Sequence, residues 1–263
     1  MAVHIITDSA SDLSSNAHPR LTVLPLSVAF GDTVYRDGVD LDNNRFYEML
    51  VESDHLPTTG QVNPFAFSQA IGEVRDADPD AGIVIVTLSS KLSGTNQRAC
   101  IAALEADGEG AGVYVVDSLN ATVGERVLVE RALQLADDGR TAAEIASELN
   151  RERRRVRLVA LLDTLEYLRR GGRVPAATAA LGELLSIKPV VAVEDGEVVV
   201  RGKARGSKNG RNLLTQEVER AGGIDFTRPL ALGYTGLSDH LLPNYIDDSR
   251  ALWENDVARD QLE

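Results

Sequence analysis

The sequence predicts an α/β fold in two domains, and three observations carry that prediction. Short β-branched runs alternate with helix-like segments along the whole chain, the pattern of strand–helix–strand units. Three early runs end in Asp, Ser or Thr, residues that open loops at the carboxyl ends of parallel strands. After Arg155 the texture changes: Asp195-Gly196 stands between two valine-rich runs, a hairpin signal that belongs to antiparallel or mixed sheets. The expected layout is an N-terminal α/β domain over 1–155, with a mainly parallel sheet flanked by helices. A smaller C-terminal α/β domain with a mixed sheet is expected over 156–263.

Val3–Thr7 is the first expected strand. Asn43–Ser53 and Pro64–Asp76 have helical spacing, and Asn63-Pro64 supplies an N-cap followed by proline at the first helical position. Gly82–Leu88 reads as a strand buried on both faces, with a helix over Gly94–Ala106 behind it. Gly112–Val116 is the next strand, followed by helices at Thr122–Asp137 and Thr141–Arg155. Thr141 with Glu144 fits a capping box. In the second half, strands are expected at Arg157–Leu162, Ile187–Val193, Glu197–Arg201 and Leu230–Gly233.

The stretch Ser89-Ser90-Lys91-Leu92-Ser93-Gly94-Thr95 joins a buried strand to a helix N-terminus. Such a junction offers free backbone N–H groups, the positive end of a helix dipole and several hydroxyl donors. It suits an anionic head group without a metal or a lysine. Asp8-Ser9 and Asp117-Ser118 end the neighbouring strands in the same way. Taken singly, each of these strand ends also reads as a plain turn opener or helix cap.

Composition excludes several classes. The 263 residues carry a net charge of −13, which argues against general nucleic-acid or anionic-membrane binding. No apolar run approaches the length of a membrane span, and the first strand begins too early for a signal peptide, so a cytoplasmic protein is expected. Cys100, the single cysteine, allows no internal disulfide. His4, His18, His55 and His240 lack metal-ligand spacing, so neither a metal nor a cofactor is expected. There is no Walker loop and no G-x-S-x-G elbow; the G-x-G-x-G run at 108–112 precedes a strand instead of following one. A serine–histidine triad stays formally open, because triads are not recognised by sequence position.

Charge is unevenly spread. Residues 151–211 hold 14 of the 27 Lys and Arg against 7 of the 40 Asp and Glu, a balance of +7 that leaves −20 for the rest. Arg151–Arg155 fits a solvated helix end. Arg173, Lys203 and Arg205 stand close to glycines, where a partner's backbone approaches easily, and are candidates for docking.

These segments together resemble the DegV family, fatty-acid-binding proteins that serve bacterial fatty acid kinase. The resembling motifs run in order: Ile6-Thr7-Asp8-Ser9, Tyr35-Arg36-Asp37-Gly38, Pro57-Thr58-Thr59-Gly60-Gln61 and Leu88–Thr95. Val116-Asp117-Ser118, Leu165–Val174, Leu185-Ser186-Ile187-Lys188-Pro189 and Lys203-Ala204-Arg205 follow. The resemblance implies a carrier, not an enzyme, that buries one long-chain fatty acid in an apolar tunnel and presents its carboxylate to a separate kinase subunit. It implies Thr59 and Ser93 as carboxylate ligands, supported by loops carrying Asp8, Ser9, Gly60, Gln61, Ser90, Gly94, Thr95, Asp117 and Ser118. The bound fatty acid is ligand, and no cofactor is implied. The family's T-S-Q reads Thr59-Gly60-Gln61 here, which removes one hydroxyl and predicts a looser loop. Its H-T-G-P-G-like segment has no counterpart before Glu263, and His240 lies in no matching motif, so the second domain is expected to lack its last strands. Two other readings stand beside the carrier. One is a small hydrolase or phosphotransferase using Asp8, Ser93 or Asp117; the other is a lipid sensor without a kinase. No feature of the sequence sets an oligomeric state.

Overall fold

The computed structural model describes residues 2–106, 112–174, 187–238 and 240–252. The G-x-G-x-G run and the Leu185-Ser186 pair fall largely outside the described residues. The chain forms two compact units, Met1–Val156 and Arg157–Glu263.

The first unit is built on four parallel strands: β1 (Val3–Asp8), β2 (Leu21–Leu24), β6 (Gly82–Thr87) and β7 (Val113–Asp117). Their order in the sheet is β2-β1-β6-β7. Inner strands of such a sheet are covered on both faces, which is why β1 and β6 read as nearly unbroken apolar runs. Helices α4 (Val123–Asp137) and α5 (Ala142–Glu152) cover one face, packing Leu128, Val129, Ile145 and Leu149 against Ile5, Val84, Val86 and Val116. Helices α2 (Pro64–Ala77) and α3 (Thr95–Ala106) cover the other, packing Phe67, Ile71, Ala99 and Ala102 against Ile6, Ile83, Ile85 and Val113. The period-2 alternation of each strand splits its residues between these two cores.

The caps anticipated from sequence are formed. The Asn63 side chain accepts from Phe65 N at 3.0 Å, and Thr141 and Glu144 make a reciprocal capping box. Connections from β1 and β6 leave in opposite directions, so the switch point of the sheet lies between the carboxyl ends of β1 and β6, where ligands of open α/β sheets bind.

A second, small antiparallel sheet, order β4-β3-β5, comes from β3 (Ser27–Phe30), β4 (Thr33–Arg36) and β5 (Thr58–Gly60). Helix α1 (Asn43–Glu52) runs between β4 and β5. Neither this sheet nor β2 was expected. Strands of three or four residues with partly exposed faces are too short to show a period.

In the second unit, β8 (Leu158–Leu161), β9 (Ile187–Glu194) and β10 (Glu197–Arg205) pair antiparallel in the order β10-β9-β8. Asp195 and Gly196 take φ of 46° and 89°, the left-handed pair that a two-residue hairpin requires. Helices α6 (Glu166–Arg170), α7 (Gly206–Arg220) and α8 (Leu241–Asp248) complete the described part. β10 runs past the expected Arg201 to Arg205 through a bulge between Val200 and Gly202. The strand expected at Leu230–Gly233 is absent: these residues have no regular structure. An apolar run becomes a strand only where a neighbouring backbone pairs with it, and none among the described residues does.

Candidate functional site

The carboxyl end of β1 anchors the switch point. Asp8 is buried, with Oδ1 accepting from Ala10 N at 3.1 Å and Oδ2 from Leu88 N at 3.0 Å. The second bond ties the end of β1 to the residue that leads into the serine-rich turn. Removal from water pushes the Asp8 pKa up to about 7, with the two backbone N–H groups opposing the shift and Asp37 adding to it. Ser9 Oγ donates to Asp37 Oδ2 at 2.7 Å and accepts from Leu26 N at 3.0 Å, holding the next loop in place.

The serine-rich turn is fastened from the side of β7. Ser89 N donates to Asn120 O at 2.7 Å, and Ser90 N to Asp117 Oδ1 at 3.2 Å, an oxygen that also accepts from Leu119 N. Buried Ser118 exchanges bonds with Asn120, donating to its carbonyl and accepting from its amide, both at 3.0 Å. Ser89 O in turn accepts from Leu92 N at 3.0 Å and Ser93 N at 3.1 Å. Ser93 Oγ, half-buried, lies 3.0 Å from Thr95 Oγ1 and accepts from Thr95 N at 3.3 Å. It is engaged at the N-terminus of α3 with a threonine, not with a histidine.

Thr59 lies exposed in the middle of β5, opposite Val28. Gly60 does not loosen a loop, as the sequence suggested. It sits in the paired strand opposite Ser27, and a Cβ there would fall 2.3 Å from Ser27 Oγ. A serine at position 60 would require the Ser27 hydroxyl to rotate away. Gln61 then lies flat against Gly94, where a Cβ would come within 2.6 Å of its amide nitrogen. Arg98 Nε donates to Gln61 Oε1 at 3.3 Å, and Val62 N donates to Thr95 Oγ1 at 3.4 Å. These contacts bring Gln61 and Val62, just past the end of β5, beside Gly94 and Thr95 at the N-terminus of α3.

Hydrogen bonds and close contacts thus link Asp8 to Leu88, Ser90 to Asp117, and Gln61 to Gly94 around the serine-rich turn, with Ser93 half-buried in that turn and Thr59 exposed on β5. Chemically this is a donor site: hydroxyls and a helix N-terminus suit a carboxylate. Sequence reasoning missed Ser27, Asn120 and Glu125. Only Glu125 left a trace, as an acid inside the buried stripe of α4.

The candidate docking residues lie in the second unit. Arg173 follows α6, with its guanidinium on Gly171 O and its amide on Leu168 O at 2.8 Å. Lys203 pairs with Pro189 and lines a shallow open depression with Thr164, Leu165, Ile187 and Pro189. Arg205, exposed, ends β10. The Arg151–Arg155 run is more than a solvated helix end, since Arg153 Nη1 donates to Asp117 O at 2.8 Å. Among the described residues, no group of three or more His, Cys, Asp or Glu could hold a metal, and no helix is long and apolar enough to cross a membrane.

A model of the DegV family, described as uncharacterised proteins, matches residues 2–260. A DegV domain-containing protein of Caldanaerobacter subterraneus subsp. tengcongensis is 33% identical over 242 residues, 91% of this chain and 84% of that protein. One from Streptomyces coelicolor is 33% identical over 224 residues, 84% of this chain and 78% of the other. Among solved structures, a fatty-acid-binding DegV protein from Thermus thermophilus superposes with a TM-score of 0.75 and 34% identity, covering 84% of this chain and 78% of its own. The fatty acid kinase B3 protein of Streptococcus pneumoniae, loaded with linoleic acid, gives 0.77 at 25% identity, covering 85% and 80%. With the family model spanning nearly its whole length and relatives at a third identity over most of theirs, this chain belongs to the DegV family.

Proposed function

We propose that this chain is a fatty-acid carrier that performs no chemistry alone. It binds a long-chain fatty acid, holds the carboxylate with Thr59 and Ser93, and presents it to a separate kinase subunit for phosphorylation. The observation that supports this reading is the seat of Gln61 on Gly94, which brings the residues just after Thr59 and Gly60 beside the N-terminus of α3 at the switch point of the sheet. A carboxylate there meets hydroxyl donors and a helix N-terminus, and each buried CH₂ of its tail adds about 0.8 kcal/mol. The Thermus thermophilus and Streptococcus pneumoniae proteins support the ligand class, and the name of the second supports the kinase partner. We assign the head-group loops to a domain over 1–155, and Arg173, Lys203 and Arg205 to docking of the kinase. The role belongs in the cytoplasm, where a kinase meets its nucleotide.

Native mass spectrometry of the purified chain tests the reading. A co-purified fatty acid, or stoichiometric uptake of added oleate, is expected, with acyl phosphate forming only when a kinase subunit and ATP are also present. Failure to hold any fatty acid overturns the carrier reading, and turnover of an ester or phosphoester by the chain alone favours the enzymatic one.

A further inference from the structure

We propose that Glu125 is the positioning residue of the head-group turn, and that it works as an uncharged acid, holding Leu88–Ser93 in place only while its carboxyl carries a proton. The ligand that this turn serves rests on the carrier reading above.

Glu125 is fully buried near the start of α4. Its Oε1 accepts from Thr7 Oγ1 at 3.1 Å, and its Oε2 has no partner among the described residues. Asn120 Oδ1, in the loop that leads into α4, is a second buried acceptor without a donor. Buried acceptors are rarely left bare, and an uncharged carboxyl has one fewer to satisfy. A protonated Glu125 keeps Oε1 as the acceptor for Thr7 and carries a donor of its own on the other oxygen.

The relevant neighbours for position are Thr7, bonded to Glu125 Oε1, and Asn120, whose side chain lies against Gly124, the residue before Glu125. Thr7 precedes Asp8, whose Oδ2 accepts from Leu88 N; Asn120 O accepts from Ser89 N, and Ser89 O accepts from Ser93 N. The turn is thus clamped on two sides, and Glu125 stands behind both clamps.

The ionisable groups that act on Glu125 are acids, Asp8 from β1, Asp12 from the turn after it and Asp117 from the end of β7, while Arg153 at the end of α5 donates to the Asp117 carbonyl. β6 brings no ionisable side chain within Gly82–Thr87. The acid of α5 that reaches α4, Glu152, pairs with Arg131 further along, and Arg126 pairs with Glu130. Burial first, then Asp8, holds the Glu125 carboxyl well above the usual carboxylate range. Asp8 is better placed to carry charge, since each of its oxygens accepts a backbone N–H. Ionising Glu125 as well puts a second negative charge into the same dry space, and opening the turn to water relieves it.

The test compares the full chain with Glu125→Gln, which keeps a neutral donor at the same place, and Glu125→Met, which keeps the shape alone. Oleate affinity is measured from about pH 6 to about pH 9, and amide exchange of Leu88 and Ser89, corrected for intrinsic rates, is followed in ligand-free protein over the same range. Comparison at each pH cancels the ionisation of oleate itself. In the native chain, both affinity and protection of these two amides should fall by about tenfold or more relative to Glu125→Gln as pH rises. Glu125→Met should be weak at every pH. Parallel profiles for the native chain and Glu125→Gln, in affinity or in exchange, overturn the proposal. If no variant binds oleate, the carrier reading fails, and the exchange profile alone then decides the role of Glu125.

Discussion

Ser93 Oγ already contacts both the hydroxyl and the amide of Thr95, so its removal costs a local bond as well as the donor proposed for the carboxylate. A hydrogen bond to a charged carboxylate contributes roughly 1.5–3 kcal/mol, so Ser93→Ala should weaken oleate binding by about tenfold or more. Thr59→Val keeps the branched shape and deletes only the hydroxyl; its exposed strand makes a stability effect small and an affinity effect interpretable. Calorimetric titration showing unchanged affinity in both variants would remove the clamp. Asp8 adds a pH dependence of stability. Its folded value of about 7 lies above the ordinary 3.8, so its contribution is greatest below the ordinary value and is lost as pH rises toward 7. The urea midpoint should therefore fall between acidic and neutral pH, and Asp8→Asn should lessen that fall. An identical slope in the variant would show that the carboxyl does not titrate in this window.

The seam between β5 and the N-terminus of α3 is closed by the approach of Gln61 to Gly94, with hydrogen bonds from Val62 N to Thr95 and from Arg98 to Gln61 beside it. Gly94→Ala places a methyl within 2.6 Å of the Gln61 amide, which must swing away and give up its place against the N-terminus of α3. Oleate affinity should fall roughly three- to tenfold, and Gln61→Ala in the same chain should recover most of it. Loss without recovery would separate the seam from ligand capture. At α5, Thr141→Ala breaks a formed capping box and should lower unfolding stability by about 1 kcal/mol in a denaturant titration. Elements of this kind were legible because their signals are local. Asn63-Pro64, Thr141 with Glu144 and Asp195-Gly196 each act on their own backbone, and β1 and β6 announce their burial by composition. β3 to β5 were hidden because each exists only through its partner, and Leu230–Gly233 misled for the same reason. The strand ends Asp8, Ser89-Ser90 and Asp117-Ser118 could be read as a site. The neighbours that shape it, Ser27 under Gly60 and Asn120 over Ser89, are brought there by pairing that no spacing reveals.

For the molecule as a whole, the basic stretch 151–211 stands out against a net charge of −13. Charges at the rim of an interface act mainly on association rate and its salt dependence. Arg205→Ala should leave oleate affinity within about twofold yet slow acyl-phosphate formation with a kinase subunit, most at low salt. Abolished lipid binding with normal phosphorylation of what remains bound would contradict docking. The bond from Leu88 N to Asp8 has a further meaning for the chain during its synthesis, because it joins residues eighty apart. β1 leaves the ribosome first, and β6, one of its two neighbours, follows long afterwards. At roughly 5–20 residues per second, that flank stays unpaired for about 4–16 s. An apolar strand with a bare edge is a template for pairing with other chains. The newborn protein is therefore most open to aggregation before any ligand has a site to enter.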